Sequence, residues 1–187
     1  MKLVLGLGNP GARYDDTRHN VGWWAADRLA HDWGLGSFEQ MGLALQTGGT
    51  VEDEEVVLIK PMTYMNRSGA ALRPWLGREG FAVSEDLMVL VDDATRDTGR
   101  VRMRPGGSSG GHNGLRSIEA ELGHGDFARL RIGVGRPPEG ETLVEWVLSS
   151  MDADEEDRVL DVLEDVPEAL RVWVRDGVEP AMNMINR

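Results

Sequence analysis

The chain has 187 residues, of which 41% are hydrophobic, and its formal net charge is −12. This length is sufficient to bury a core, and no segment has the proline, serine or charge content of an interdomain linker, so we expect a single domain over residues 1–187. The absence of cysteine excludes disulfides, thiol nucleophiles and thiolate metal sites. The negative net charge argues against general binding of polyanions by the whole surface.

Apolar runs and helical patterns alternate along the chain. Strands are predicted over residues 3–7, 44–47, 56–59, 87–91, 101–104 and 130–134, and helices over residues 21–32, 70–78, 115–122, 155–163 and 169–174. Pro74 lies within the second of these helices and predicts a kink or a later helix start. The alternation predicts an α/β fold: a single-domain twisted mixed sheet with helices on both faces and an active-site cleft at the C-terminal ends of the strands.

The N-terminal segment does not have the pattern of an export signal, because its apolar run LVLGLG is short and is interrupted at Pro10. No other segment approaches the length needed to span a membrane. We therefore expect a cytoplasmic protein without membrane contact, and the lack of cysteine is compatible with that reducing compartment.

Four short glycine-flanked polar clusters lie far apart in the chain: GLGNPG, TRHNVG, PMTYMNRSG and GGSSGGHNG. They contain Asn9, His19, Asn66, His112 and Asn113, and the apolar run LMVLVDD adds Asp92 and Asp93 at the end of a predicted strand. A neutral imidazole that accepts a proton from water, a carboxylate that orients it and amides that hold carbonyl oxygens are the groups that hydrolysis needs. Because neighbouring strand residues point to opposite faces, only one of the two aspartates can orient the histidine.

Two other motifs suggest different chemistry but lack its context. Gly6, Gly8 and Gly11 satisfy the dinucleotide-binding pattern G-x-G-x-x-G, yet the polar stretch after Pro10 delays the next helix to about residue 20, so a nicotinamide-dependent oxidoreductase is disfavoured. Ser109 satisfies the nucleophile pattern G-x-S-x-G, but the chain lacks an acid followed by a suitably placed histidine downstream. The glycines around Ser109 favour a backbone cradle that approaches a ligand closely.

A metal site is the alternative for the histidines. His19, His112 and Asp92 are suitable ligand types, but the sequence contains no H-x-x-x-H or H-E-x-x-H spacing, so we expect no metal.

The arginines are concentrated in one part of the chain. Residues 94–136 contain eight arginines and four acids, a local net charge of +4, so the rest of the chain carries −16. The strand period of VRMR predicts that Arg100, Arg102 and Arg104 share one face, where their guanidinium groups suit phosphate oxygens. An acidic protein with one basic patch can bind a polyanion locally.

The four clusters, in this order and spacing, resemble those of the bacterial-type peptidyl-tRNA hydrolase family over nearly the whole chain. The resemblance implies hydrolysis of the ester between a peptide and the terminal ribose of tRNA by a monomer without a cofactor, with a mobile loop and helix gating the cleft. It implies that His19 is the general base, that Asp92 orients it and that Asn9 discriminates N-blocked substrates. The same resemblance implies that Asn66 and Asn113 bind the peptide and the water. It implies that Tyr14 and Tyr64 contact the substrate near the tRNA end, and that Arg104 and Arg131 bind tRNA phosphates.

One departure from the family pattern follows the proposed acid. The family often continues with Asp/Glu-Leu-Asp-Leu-Pro after this position, whereas here Asp93 is followed by Ala-Thr-Arg-Asp, so that Thr95 replaces an acidic residue. The alternative function is a non-catalytic RNA-binding or RNA-processing factor on the same fold. The intact set of catalytic residue types favours the enzyme.

Overall fold

The computed structural model describes residues 1–186. Its strands are β1 (Lys2–Gly6), β2 (Glu39–Met41), β3 (Ala44–Val51), β4 (Glu54–Pro61), β5 (Leu87–Asp93), β6 (Val101–Arg104) and β7 (Ala128–Gly133). Its α-helices are α1 (Val21–Asp32), α2 (Val83–Asp86), α3 (Asn113–Leu122), α4 (Leu143–Val147), α5 (Ala153–Leu163), α6 (Val166–Asp176) and α7 (Val178–Ile185). Short 3₁₀ segments occupy Ala12–Tyr14, Arg18–Asn20 and Met65–Leu72.

The seven strands form one mixed sheet in the order β2-β3-β4-β1-β5-β7-β6. The central strands β4, β1, β5 and β7 run parallel, while β2, β3 and β6 pair antiparallel with their neighbours at the two edges. The C-terminal ends of β1 and β5 therefore lie side by side, which brings the residues that follow them together. The predicted mixed α/β sheet is confirmed.

Helices cover both faces of the sheet, as predicted. Alternate apolar residues of the central strands pack on one side against α1, α5, α6 and α7, and on the other against α3 and the 3₁₀ helix Met65–Leu72. This second contact is close: the Gly69 amide donates to Ser117 Oγ at 3.0 Å, and a Cβ at Gly69 would collide with the backbone carbonyl of Ser117. The loops that begin these two helices are thereby held next to each other.

All six predicted strands are present, and four are longer than predicted, β3 and β4 by four residues each. β3 and β4 form a hairpin whose turn residues Glu52 and Asp53 both have positive φ, of 50° and 62°. That two-residue turn matches the twist of the strands, and the hydrophobic pattern did not reveal it because Gly48, Gly49 and several acids interrupt the apolar residues. The strand β2 was not predicted, because all three of its residues are exposed and show no apolar alternation.

The helix predicted over residues 70–78 is wrong. The helical segment begins earlier, at Met65, has 3₁₀ geometry and ends at Leu72, two residues before Pro74. Arg73 still has right-handed helical backbone geometry, but Pro74 has no N–H to donate the next helical hydrogen bond, so the regular helix ends before it instead of kinking at it. The other predicted helices are present with bounds within three residues of those expected, and α2, α4 and α7 are additional.

Candidate active site

A cleft of about 760 Å³ opens at the C-terminal ends of the central strands. Seven of the nine predicted site residues line it: Asn9, His19, Tyr64, Asn66, Asp92, Asn113 and Arg131. Tyr14 and Arg104 are not among its lining residues. Tyr14 ends a 3₁₀ turn and its hydroxyl accepts a hydrogen bond from Arg13, while Arg104 is exposed at the end of β6.

Asp92, the penultimate residue of β5, joins two histidines. Its Oδ2 lies 2.9 Å from His19 Nδ1, and its Oδ1 lies 2.6 Å from His112 Nε2. His19 belongs to the 3₁₀ turn before α1, and its other nitrogen, Nε2, has no hydrogen-bond partner within residues 1–186. His19 therefore carries its proton on Nδ1 when neutral, which leaves the lone pair of Nε2 available to accept a proton.

The tautomer of His112 follows from its place at the start of α3. His112 is the N-cap of this helix, and its Nδ1 accepts hydrogen bonds from the backbone amides of Gly114 at 3.1 Å and Leu115 at 3.4 Å. An accepting Nδ1 has no proton, so neutral His112 carries its proton on Nε2 and donates it to Asp92. The sequence indicated His112 only as a polar or metal-ligating candidate, and its position three residues before the helix predicted over 115–122 was the signal that could have revealed the cap.

The charge of Asp92 is stabilised by both histidines. Burial alone would raise the pKa of Asp92, but attraction to His19 and His112 and their hydrogen bonds hold it well below its usual range. Burial likewise lowers the pKa of His19, but the charge and hydrogen bond of Asp92 outweigh it, so that this pKa lies above its ordinary value. The pair is therefore a carboxylate that favours the protonated form of the imidazole beside it.

Asn9 is held by Asn20, the residue that precedes α1. Asn20 Oδ1 accepts from the Asn9 amide at 2.9 Å, and Asn20 Nδ2 donates to the Asn9 carbonyl at 3.0 Å. The side-chain oxygen of Asn9 accepts from the Met65 amide at 2.8 Å. Asn9 is thus fixed through its backbone and its oxygen, and the polar group that it leaves for the cleft is its side-chain amino group.

Asn66 and Asn113 complete the polar floor of the cleft, each from a helix that begins there. The start of α3 packs so closely on its neighbours that a Cβ at Gly114 would lie 2.6 Å from Met65 Sδ and 2.9 Å from a methyl group of Leu7, the residue after β1. The glycine of the HNG cluster therefore permits close packing, and a larger residue would displace the ends of the Met65 and Leu7 side chains. Asn113 does not cap its helix, because His112 takes that role, and its exposed side chain lines the cleft.

One wall of the cleft was not predicted. The short helix α4 and its C-cap residue line the cleft with Leu143, Val144 and Leu148, which are 51%, 62% and 39% exposed. The helix begins at Thr142 with a capping box, in which Thr142 and Glu145 bond reciprocally. The T-x-x-E spacing was the sequence signal for this helix.

Comparison with known proteins identifies the family. The family model for peptidyl-tRNA hydrolase matches residues 3–187. The chain belongs to the peptidyl-tRNA hydrolase family. It is 44% identical to the peptidyl-tRNA hydrolase of Gemmatimonas aurantiaca over 190 residues and 41% identical to that of Halalkalibacterium halodurans over 186, with full coverage of both chains in each case. The crystal structure of the peptidyl-tRNA hydrolase from Acinetobacter baumannii superposes with a TM-score of 0.92 at 34% identity, covering 100% of this chain and 94% of that one.

Membership of the peptidyl-tRNA hydrolase family makes this chain an enzyme, a hydrolase.

The glycines of GLGNPG have a packing role. A Cβ at Gly6 would lie 2.5 Å from the Gly22 carbonyl and one at Gly8 would lie 2.6 Å from the Trp23 ring, so these glycines let β1 and α1 approach each other. The helix begins at Val21, well after the glycines, as predicted from the polar stretch.

The structure also shows the contacts of the residues behind the serine-nucleophile and metal-site alternatives. Ser109 lines the cleft, but within residues 1–186 its hydroxyl makes no hydrogen bond to a histidine, and its carbonyl accepts from the His112 amide at 3.0 Å. His19, Asp92 and His112 each offer an atom within 4.8 Å of the others, a separation that suits a cation. Both carboxylate oxygens are nevertheless engaged by histidine nitrogens, and the absence of a metal stays a prediction.

Asp93 faces away from this set and stabilises the next turn. Its Oδ1 accepts from the amide of Thr95 at 2.9 Å and from the hydroxyl of Thr95 at 2.7 Å, and Oδ2 lies 3.6 Å from Arg96. Thr95, which departs from the family pattern, therefore hydrogen-bonds to Asp93 and does not disturb the contacts of Asp92.

The arginines of β6 and β7 share one face of the sheet next to the cleft. Arg102 pairs in register with Arg131, and Arg104 with Arg129. Arg100 lies directly before the strand, with its carbonyl accepting from the Gly133 amide at 2.7 Å, and its place on this face stays a prediction. Arg129 is 1% exposed and donates to the carbonyls of Ser108, in the glycine-rich loop, and Gly125, in the loop before β7. Burial and the charge of Arg131 lower the pKa of Arg129 to about 10.

Within residues 1–186, none of the helices has both the length and the apolar character needed to cross a bilayer.

Proposed function

We propose that the protein hydrolyses the ester bond between an N-blocked aminoacyl or peptidyl group and the 3′-terminal ribose of tRNA, releasing peptide and free tRNA for recycling. The observation that carries this proposal is the His19–Asp92 pair at 2.9 Å in a cleft that is also lined by the side-chain amides of Asn9, Asn66 and Asn113. His19 Nε2 takes the proton of a water molecule, the water oxygen attacks the ester carbonyl, and the protonated imidazole returns the proton to the departing ribose oxygen. Asp92 keeps the tautomer correct and stabilises the imidazolium that forms.

The asparagines provide selectivity for N-blocked substrates and amide groups that bind the peptide and the water. Because the oxygen of Asn9 is occupied by the Met65 amide, Asn9 offers only a donor to the substrate. A donor suits the carbonyl of an N-acyl group and cannot bond the ammonium of a free aminoacyl ester, which is itself a donor. Asn66 and Asn113 hold the peptide and the attacking water, and Tyr64 and Tyr14 contact the substrate near the tRNA end. The single domain, residues 1–187, acts as a cytoplasmic monomer without a cofactor.

The test is hydrolysis of an N-acetyl-aminoacyl-tRNA beside the same unblocked aminoacyl-tRNA, with purified protein and no added cofactor. We expect rapid cleavage of the blocked ester alone. Cleavage of neither ester, with tRNA still bound, would replace the proposal with the RNA-binding alternative. Equal cleavage of both would remove the role of Asn9 in discrimination.

The basic face beside the cleft suits the phosphates of the tRNA. Arg104 is exposed and has no side-chain hydrogen-bond partner within residues 1–186, so its charge is free to meet a phosphate, and Arg131 lines the cleft beside it. We expect Arg104→Ala to weaken tRNA binding and to reduce the slope of log affinity against log salt by about one unit. Arg175→Ala is the matched control, because Arg175 lies on α6 across the sheet, paired with Glu52 and Asp176. An unchanged slope for Arg104→Ala in a salt titration of tRNA binding would assign the phosphates to another face.

A further inference from the structure

Arg18, the residue before His19, is a buried cation that the proposed chemistry does not use. It is 3% exposed. Its Nη1 donates to Ser149 Oγ at 2.6 Å and to the Ser150 carbonyl at 2.8 Å, and its Nη2 donates to Glu155 Oε2 at 2.5 Å. These partners lie more than 130 residues away in the sequence, directly after α4 and in α5. Arg18 therefore connects the turn that carries His19 to the segment between Ser149 and Glu155.

The same guanidinium group is stacked on α4 itself. The Arg18 guanidinium carbon lies 3.4 Å from the centre of the Trp146 ring, and the Trp146 indole donates to the Gly135 carbonyl at 2.8 Å. A backbone hydrogen bond from Arg18 to the Ser149 carbonyl, at 3.1 Å, lies beside these contacts. A planar cation placed over an indole and hydrogen-bonded at its edge is a geometry that arginine achieves and lysine does not.

α4 makes few packing contacts of its own, and besides Arg18 and Trp146 the isolated β-bridge between Thr17 and Ser150 fixes the segment that follows it. The helix has five residues, of which only Val147 is buried, and exposed chain precedes it. A helix of this length is not stable by itself in water. Its position relative to His19, and with it the position of the apolar cleft wall formed by Leu143, Val144 and Leu148, depends on the contacts of Trp146 and Arg18.

We propose that Arg18 is a positioning residue that holds α4 against the His19 turn and so sets the apolar wall of the substrate cleft. The inference rests on the proposed function in one respect, namely that the acyl-tRNA ester binds in this cleft. Arg18 acts on substrate binding and leaves proton transfer unchanged, because the imidazole of His19 is oriented by Asp92 and not by Arg18. Loosening the wall removes binding made equally in the ground and transition states, which raises KM at constant kcat.

The first variant is Arg18→Lys, which keeps the charge and can still reach Glu155 but loses the fork and the stacked plane. We expect KM for N-acetyl-aminoacyl-tRNA to rise about tenfold while kcat stays within about twofold and the pH at half-maximal kcat/KM is unchanged. Partial misfolding gives a different result, because it lowers the active fraction and hence kcat while leaving KM unaltered. A fall in kcat alone, or a shifted pH midpoint, overturns the proposal.

A second variant approaches the same contact from α4. Trp146→Leu removes the ring on which Arg18 stacks, and we expect a similar rise in KM. If the two residues act through one contact, the double variant Arg18→Lys/Trp146→Leu has a KM close to that of the more affected single variant. If instead the fold increases in KM of the two single variants multiply in the double variant, the proposal is overturned. Arg28→Ala is the control, because Arg28 forms an exposed ion pair with Asp32 on the surface of α1, and both kinetic constants should remain as in the unmodified protein.

Hydrogen exchange tests the same proposal without relying on activity. In Arg18→Lys we expect the amides of Trp146 and Leu148, which bond within α4, to exchange about tenfold faster, while those of β5 are unchanged. Unchanged exchange in α4 overturns the positioning role even if the enzyme is active. If the unmodified protein cleaves no ester, the proposed function fails, and faster exchange in α4 still supports the anchoring of this helix by Arg18.

Discussion

Replacing His19 by alanine is expected to reduce kcat/KM for N-acetyl-aminoacyl-tRNA by at least about a hundredfold, the lower end of the range for a positioned general base. His19 is the cleft histidine whose Nδ1 is held by Asp92 and whose Nε2 is unpartnered within residues 1–186. Removing it leaves water without an acceptor for its proton. Single-turnover hydrolysis at saturating enzyme measures the loss in the chemical step directly.

The control for this variant is His31→Ala. His31 is on the surface of α1 with its side chain 86% exposed, so its loss should leave the rate within about twofold, as for a typical surface substitution. Both variants should retain the far-ultraviolet spectrum and the unfolding midpoint of the unmodified protein to within a few degrees. Near-normal turnover by folded His19→Ala would refute the base assignment.

The same assignment has a pH dependence of definite sign. The pKa of His19 is raised above 6.5, because the charge and hydrogen bond of Asp92 outweigh the opposing effect of burial. Protonated His19 cannot accept a proton, so kcat/KM should be low below the raised pKa and should increase with pH through it, with its midpoint above 6.5.

Replacing Asp92 by asparagine is expected to reduce kcat by at least about a hundredfold, comparable to other cases in which a histidine base is left in the wrong tautomer. The reason is the fixed proton of His112. Since His112 Nδ1 accepts from backbone amides, its Nε2 must donate, and the one accepting oxygen of the asparagine turns toward it. The asparagine amino group then faces His19 Nδ1, which must accept, and the proton of His19 moves to Nε2.

Asp97→Asn removes the same charge five residues further along, at an exposed side chain outside the cleft, and should retain nearly full activity. In Asp92→Asn the residual activity should also have its midpoint at lower pH, because the attraction that raises the pKa of His19 is lost while its burial remains. A midpoint at unchanged pH, measured from kcat/KM against pH, would show that Asp92 does not control His19.

The fold was largely predictable because its signals are local. The apolar runs of the buried strands, the polar delay before α1 and the glycine after α3 are features of neighbouring residues, and each appears in the structure near the expected position. The failures have local causes as well. The exposed strand β2 has no apolar alternation, and the helix expected around Pro74 ends before that residue because proline has no N–H to continue the helical hydrogen bonds.

The chain by itself determined which chemistry is available. It has no thiol, and it contains one set of asparagines, histidines and aspartates in glycine-bounded loops whose order matches one family. The tertiary structure decided how those groups are joined. The His19–Asp92 hydrogen bond joins residues 73 apart, and the Arg18–Ser149 bond joins residues 131 apart. Such pairs are set by which strands are neighbours and by how closely helices pack on them, and no periodicity along the chain encodes that distance. For the same reason the tautomer of His112, which depends on a helix beginning one residue later and on Asp92 at the end of β5, follows only from the folded molecule.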